Sequence, residues 1–188
     1  MTVLSDIDIS RAIRSHTIAI DPYNEDDIQP ASYDVHLGPS LLRVETTNNT
    51  PIDPLKLEDD DIQYTDVPLI DGQFLIDPYM LYLGSTVEVV SLNYRVGARF
   101  EGKSSLGRIG MQTHMTAGYI DPGFWGQITL EIVQSTDMQV LLTPGMPIGQ
   151  LSFFELTTPC VRPYGSAELG SHYWKQMGPT KARSLKSV

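Results

Sequence analysis

Residues 74–100 read FLIDPYMLYLGSTVEVVSLNYRVGARF, and this stretch decides the fold. Phe74-Leu75-Ile76, Thr86 to Leu92 and Val96 to Phe100 are short runs of β-branched, aromatic and aliphatic residues, separated by turn-forming Asp, Pro, Gly and Asn. The pattern continues in Gln127 to Val133, Val140 to Leu142 and Ile148 to Leu156. Strands at this spacing predict an all-β sandwich or barrel rather than βαβ units. Upstream, residues 5–15 read as a helix. Ser5 caps it, Asp8 is the capping-box partner, and Ile9, Ala12 and Ile13 form one apolar stripe. Asp21-Pro22 and Gln29-Pro30 then break the chain into turns. Residues 45–72 are polar and acidic, with Glu58, Asp59, Asp60 and Asp61, and read as a surface excursion. After Tyr164 the periodicity is lost in a Gly-, Ser- and Lys-rich tail, expected to be mobile on its own.

A chain of 188 residues makes one domain with a real core, and 41% hydrophobic with 19% charged residues is a globular composition. Its net charge of −10 argues against a broad nucleic-acid or membrane surface, since phosphate polyanions are repelled. An anionic ligand would need local positive charge. Lys103 and Arg108 supply one such patch, and Arg162, Lys175, Lys181, Arg183 and Lys186 a second. A lone Cys160 excludes an internal disulfide and most cysteine-based metal sites, as expected of a reducing, cytoplasmic setting. The opening MTVLSDIDISRAIRS lacks the apolar stretch of a signal peptide, and no apolar run approaches bilayer length.

The candidate chemistry lies in residues 101–131, EGKSSLGRIGMQTHMTAGYIDPGFWGQITLE. Alternation along Gln127 to Val133 puts Ile128, Leu130 and Ile132 on one face and Thr129, Glu131 and Val133 on the other. Two readings of Glu131 stand: an exposed residue at a sheet edge, or an enclosed acid desolvated toward the form a general acid/base needs. Asp121 precedes Pro-Gly, so it is either a plain turn former or an acid held rigidly to orient water or bind a metal-phosphate. Lys103 to Arg108 could open a short helix whose N–H groups and hydroxyls face an anion, or a serine-capped helix with ordinary surface charges. The spaced glycines of a P-loop are missing. Pro159-Cys160 is followed by Val161-Arg162, so the second cysteine of a zinc deaminase is absent, and His16, His36, His114 and His172 have no paired spacing. No G-x-S-x-G elbow supports a serine hydrolase.

Taken together, these pieces resemble the dCTP deaminase branch of the dUTPase-like superfamily. The resemblance runs through Leu4-Ser5-Asp6, Gln29 to Val35, Ser104 to Arg108, Thr116 to Glu131, Pro144 to Leu151, Pro163 to Ser166 and Gln176 to Thr180. It implies a single domain over 1–188 with a mainly β, distorted barrel or jelly-roll-like fold, a homotrimer with shared active sites, and a tail (165–188) that closes over the nucleotide. By resemblance, Glu131 is the proton-shuttling carboxylate for water attack at C4 of cytosine, without zinc. Ser104 and Arg108 line the reaction centre, with Arg108 also supporting the acid. Lys103, Ser105, Gln150, Tyr164 and Gln176 match nucleotide or triphosphate contacts, and Thr129 and Leu130 the strand that reads base and sugar. Leu106, Gly107, Ala117, Gly118, Tyr119, His172 and Lys175 complete the expected substrate-binding set.

Asp121 matches the deoxyribose-side Asp, which corresponds to the water-activating Asp of dUTPases. Members that release dUTP carry His-Arg before the I-D-P-G segment, whereas this chain has Gly118-Tyr119 and so resembles the bifunctional dCTP deaminase/dUTP diphosphatase members. Those deaminate dCTP and cleave between the α- and β-phosphates, giving dUMP and pyrophosphate. Losing the bulky pair is expected to leave room for a water oriented by Asp121, with Mg²⁺ carried by the triphosphate rather than held directly by protein ligands. One departure stands out: the usual S-K-Y of the tail is Ser171-His172-Tyr173 here, and an imidazole is not an equivalent phosphate partner to an ammonium. The alternatives are a monofunctional dCTP deaminase or dUTPase, or a nucleotide-binding regulator. The implied ligands are dCTP and dUTP, with dTTP as an inhibitor.

Overall fold

The computed structural model describes residues 2–46 and 51–185. Lys186 of the basic tail and residues 47–50 of the 45–72 excursion lie outside the described residues. In chain order the elements are β1 (Thr2–Val3), α1 (Asp6–Arg14), β2 (Ile18–Asp21), β3 (Ile28–Gln29), β4 (Ser32–His36), β5 (Leu42–Thr46), β6 (Ile62–Asp66) and β7 (Phe74–Ile76). There follow β8 (Leu81–Leu92), β9 (Val96–Gly102), α2 (Ser104–Gly107), β10 (Met111–Gln112), β11 (Tyr119–Ile120), β12 (Trp125–Gln134), β13 (Val140–Leu142) and β14 (Pro147–Glu155).

The helix forms as its caps dictate. Ser5 Oγ accepts the Asp8 amide, and Ile9 is buried while Ala12 and Ile13 pack partly against the core. The strands build two antiparallel sheets. One runs β11-β9-β14-β4-β3 with β1 on β14, the other β10-β12-β8-β5-β6 with β2 on β8. Both feed one core: Tyr33, Val35, Phe100, Leu151 and Phe153 come from the first sheet, and Ile18, Val90, Leu130 and Ile132 from the second. Burying these side chains contributes roughly 1.5–3 kcal/mol each. The fold is mainly β, as the punctuated strand pattern predicts. Among the described residues no helix is long and apolar enough to cross a membrane.

The excursion needs correction. Residues 62–66 are not loop but β6, which pairs with β5 from Leu42↔Asp66 to Thr46↔Ile62 and extends the second sheet. Ile62 and Tyr64 are half-buried while Gln63 and Thr65 are exposed, the two-residue period of a one-sided strand. Its polar composition concealed it, and its partner strand is distant in sequence, with Leu42 opposite Asp66.

Candidate active site

Strand β12 sets the first part of the site. Ile128, Leu130 and Ile132 are buried in the core, and Thr129 and Glu131 face outward, half-buried. Opposite Ile128 the register with β8 shifts. Thr86 fills the irregularity: its Oγ1 accepts the Ile128 amide at 3.0 Å and donates to the Glu88 carbonyl at 2.8 Å. The extra residues lie in β8, so β12 itself keeps an unbroken inward–outward alternation up to Glu131. Glu131 Oε2 accepts the Met115 backbone N–H at 2.8 Å, so the loop before β11 aims the carboxylate.

Asp121 follows β11, whose Tyr119 and Ile120 pair with Arg99 and Ala98 of β9. Its carbonyl accepts the Phe124 amide at 3.1 Å, and Gly123 takes φ +90 to close the turn. The turn uses the backbone of Asp121 and leaves its carboxylate to face the cavity. Desolvation raises the Asp121 carboxyl above its ordinary 3.8, even though the residue remains open to solvent at the cavity wall. Desolvation likewise raises the phenols of Tyr119 and Tyr164, with the Asp121 charge adding to both.

Glu131 and Asp121 line one cavity of about 500 Å³, together with Thr129, Tyr119, Ala117 and Gln176. That volume suits a small-molecule ligand. A second cavity of about 530 Å³ shares Tyr119, Asp121 and Tyr164 and adds Arg162, Ser171 and His172. Asp121 therefore stands on the wall common to both. The tail supplies the rest: Tyr164 Oη accepts the Tyr173 amide at 3.0 Å, and Tyr64 and Tyr173 hydroxyls accept the Ala182 and Arg183 amides, each at 3.2 Å.

The other expected residues lie elsewhere in this chain. Lys103 pairs with Asp34, and Gln150 Oε1 accepts the Ser32 hydroxyl at 2.8 Å. The register of β14 against β4 and β9 sets Gln150 opposite Asp34 and Glu101. Ser104, Ser105, Gly107 and Arg108 are exposed on or just after α2, and Leu106 is buried in the core. Neither cavity is lined by any of these. Leu130 is fully buried and lines neither cavity. Gly118 faces away from the cavities: a Cβ there would lie 2.9 Å from the Phe100 carbonyl oxygen. Of the Gly118-Tyr119 pair, only Tyr119 shapes the cavity walls. Lys175 lies over the Trp174 ring at 4.2 Å.

Residues not singled out from sequence also line the first cavity, among them Tyr64, Met115, Phe124 and Tyr173. Nothing local marks them. Tyr64 reaches the cavity only through the β5–β6 pairing. Among the described residues no three His, Cys, Asp or Glu side chains are grouped to hold a metal ion.

A family model described as dCTP deaminase-like matches residues 3–156. A Salinispora tropica protein named "dCTP deaminase, dUMP-forming" is 46% identical over 187 residues, 98% of this chain and 96% of that protein. A Mycobacterium tuberculosis protein of the same name is 46% identical over 187 residues, 98% of this chain and 97% of that one. Among solved structures, a 2′-deoxycytidine 5′-triphosphate deaminase from Agrobacterium tumefaciens superposes with a TM-score of 0.60 at 21% identity. The match covers 80% of this chain and 46% of that one, so this chain spans about half of its length and shares its fold.

Proposed function

The chain belongs to the dCTP deaminase-like family, and on that premise we propose that it is a bifunctional hydrolase converting dCTP and two waters to dUMP, ammonia and pyrophosphate. The observation that carries this reading is that two acids in different environments, Glu131 and Asp121, line one cavity. The name "dCTP deaminase, dUMP-forming" of relatives at about 46% identity supports the same product.

In this reading Glu131 takes a proton from the water that attacks C4 and returns it to the departing ammonia. Its carboxylate is already aimed by Met115 N–H. Thr129, on the cavity wall, and its neighbour Leu130 belong to the strand that reads base and sugar. Asp121, on the wall between the cavities, orients the second water at the α-phosphate, so the nucleoside occupies the first cavity and the polyphosphate runs into the second, past Tyr164, Arg162 and His172. Deamination is assigned without zinc because the deaminase ligand pattern is missing from the sequence. Among the described residues no three acidic, His or Cys side chains are grouped to hold a metal ion, and in this reading Mg²⁺ would be carried by the triphosphate. When bound there it neutralises charge that builds on the leaving pyrophosphate.

Lys103, Ser104, Ser105, Arg108 and Gln150 sit off the cavity of their own subunit. A homotrimer with shared sites gives them a role, each subunit presenting them to the next. dUTP is a second substrate and dTTP a competing ligand on the same reading, and the enzyme is placed in the cytoplasm. Incubation with dCTP and Mg²⁺ followed by chromatography tests the proposal. Formation of dUMP without build-up of dUTP is expected. Accumulation of dUTP would leave only the deaminase, and tight binding without turnover would favour a regulator.

A further inference from the structure

Beyond its contacts with β8 and β10, strand β12 has a stretch whose outer edge is met by no strand among the described residues. β10 reaches only Val133 and Gln134. The tail occupies that edge. Lys175 N–H donates to the Trp125 carbonyl at 2.8 Å, Gln127 N–H donates to the Gln176 carbonyl at 3.0 Å, and Gln176 Nε2 donates to the Gln127 carbonyl at 2.8 Å. Further on, Thr180 N–H meets Thr129 Oγ1 at 3.3 Å. Gly126 makes the approach possible. It has φ +150, and a Cβ on it would lie 2.7 Å from the Gln176 carbonyl oxygen.

The Gln127 side chain ties this edge to both neighbours. Its Oε1 accepts the Gly178 amide at 2.6 Å, and its Nε2 donates to the Val87 carbonyl, within the β8 irregularity, at 3.1 Å. An amide donor on one side and a carbonyl on the other fix which end of the carboxamide faces which. A slip of the tail by one residue would break the Gly178 bond and move Gln176 out of the cavity wall.

We infer that Gln127 is a positioning residue for substrate binding: it sets the register in which the tail adds to the edge of β12, and so places Gln176 at the nucleotide. The inference rests on the proposed function for the role of Gln176, while the docking itself does not. Gln127 touches no substrate and acts through the tail.

The test is Gln127→Leu, close in volume but with neither donor nor acceptor, measured in the intact protein. Hydrogen exchange of the Gly178 and Lys175 amides should quicken at least about tenfold, the worth of one or two lost hydrogen bonds. KM for dCTP should rise about tenfold with kcat within about twofold, since binding rather than the transition state is affected. Gln176→Ala should raise KM similarly, and the double variant should add little more. Gln127→Glu, which keeps the acceptor for Gly178, should recover much of the exchange protection. Unchanged tail exchange in Gln127→Leu, or a KM effect fully additive with Gln176→Ala, would overturn the inference. Should the wild type turn over no dCTP, the proposed function falls and the exchange measurement still decides the role of Gln127.

Discussion

Replacing Glu131 by Gln isolates the proton shuttle from everything else that residue does. Among the described residues its one hydrogen bond is accepted from Met115 N–H at 2.8 Å, and the Gln carbonyl oxygen can accept the same bond. Its neighbours Leu130 and Ile132 stay in the core. Stability should therefore change by less than about 0.5 kcal/mol. The chemistry should not be spared. General acid–base catalysis contributes roughly a hundred- to ten-thousandfold, and in the proposed mechanism one carboxylate serves both the incoming water and the departing ammonia. A loss near the upper end, about 5.5 kcal/mol of barrier, is expected for deamination. Ammonia release from dCTP reports that step, calorimetric dCTP binding checks that the cavity survives, and pyrophosphate release from dUTP should persist. Glu131→Ala gives the control: Met115 N–H loses its partner on an exposed loop, costing about 1 kcal/mol of stability at most. Deamination by Glu131→Gln within tenfold of wild type would refute the assignment. So would equal loss of both reactions together with a lowered Tm, because that pattern would trace to damaged structure.

Two further outcomes follow from the same geometry. Glu88 is 2% exposed, and both its oxygens serve His36, one accepting the backbone N–H at 3.0 Å and one meeting Nδ1 at 2.6 Å. Glu88→Ala should cost about 3 kcal/mol in urea unfolding, whereas Glu88→Gln, which keeps an acceptor, should cost clearly less. Asp121 has a folded pKa raised by desolvation, so folding holds its proton more tightly than the unfolded chain does. That term favours the fold below the ordinary 3.8 and is lost as pH rises through the raised folded value. Asp121→Asn should thus raise Tm slightly near neutral pH and leave it unchanged in acid, by an amount kept small because the group is open to solvent.

The parts legible in the sequence are those written in local periodicity and capping. Alternation in β12 placed Thr129 and Glu131 on the face opposite Ile128, Leu130 and Ile132, and Ser5 with Asp8 marked the start of α1. Hidden were features that exist only through distant pairing. β6 is polar and becomes a strand by pairing with β5, which brings Tyr64 to the cavity. The partner of Glu131 is a backbone amide, Met115 N–H, and amides leave no trace in residue type. Gly118 suggested open space, yet its missing side chain makes room for the β9 backbone at Phe100, and the cavity wall at that point is Tyr119. The Lys103 to Arg108 segment, expected beside Glu131, pairs through Lys103 with Asp34 on the other sheet, a pairing that local sequence does not encode.

The central claim is a division of labour between two acids in one cavity. Parallel measurement of ammonia and pyrophosphate release from dCTP by Asp121→Asn tests it most directly. Continued ammonia release with dUTP accumulating and pyrophosphate release lost is the predicted result. Full pyrophosphate release by that variant would contradict it.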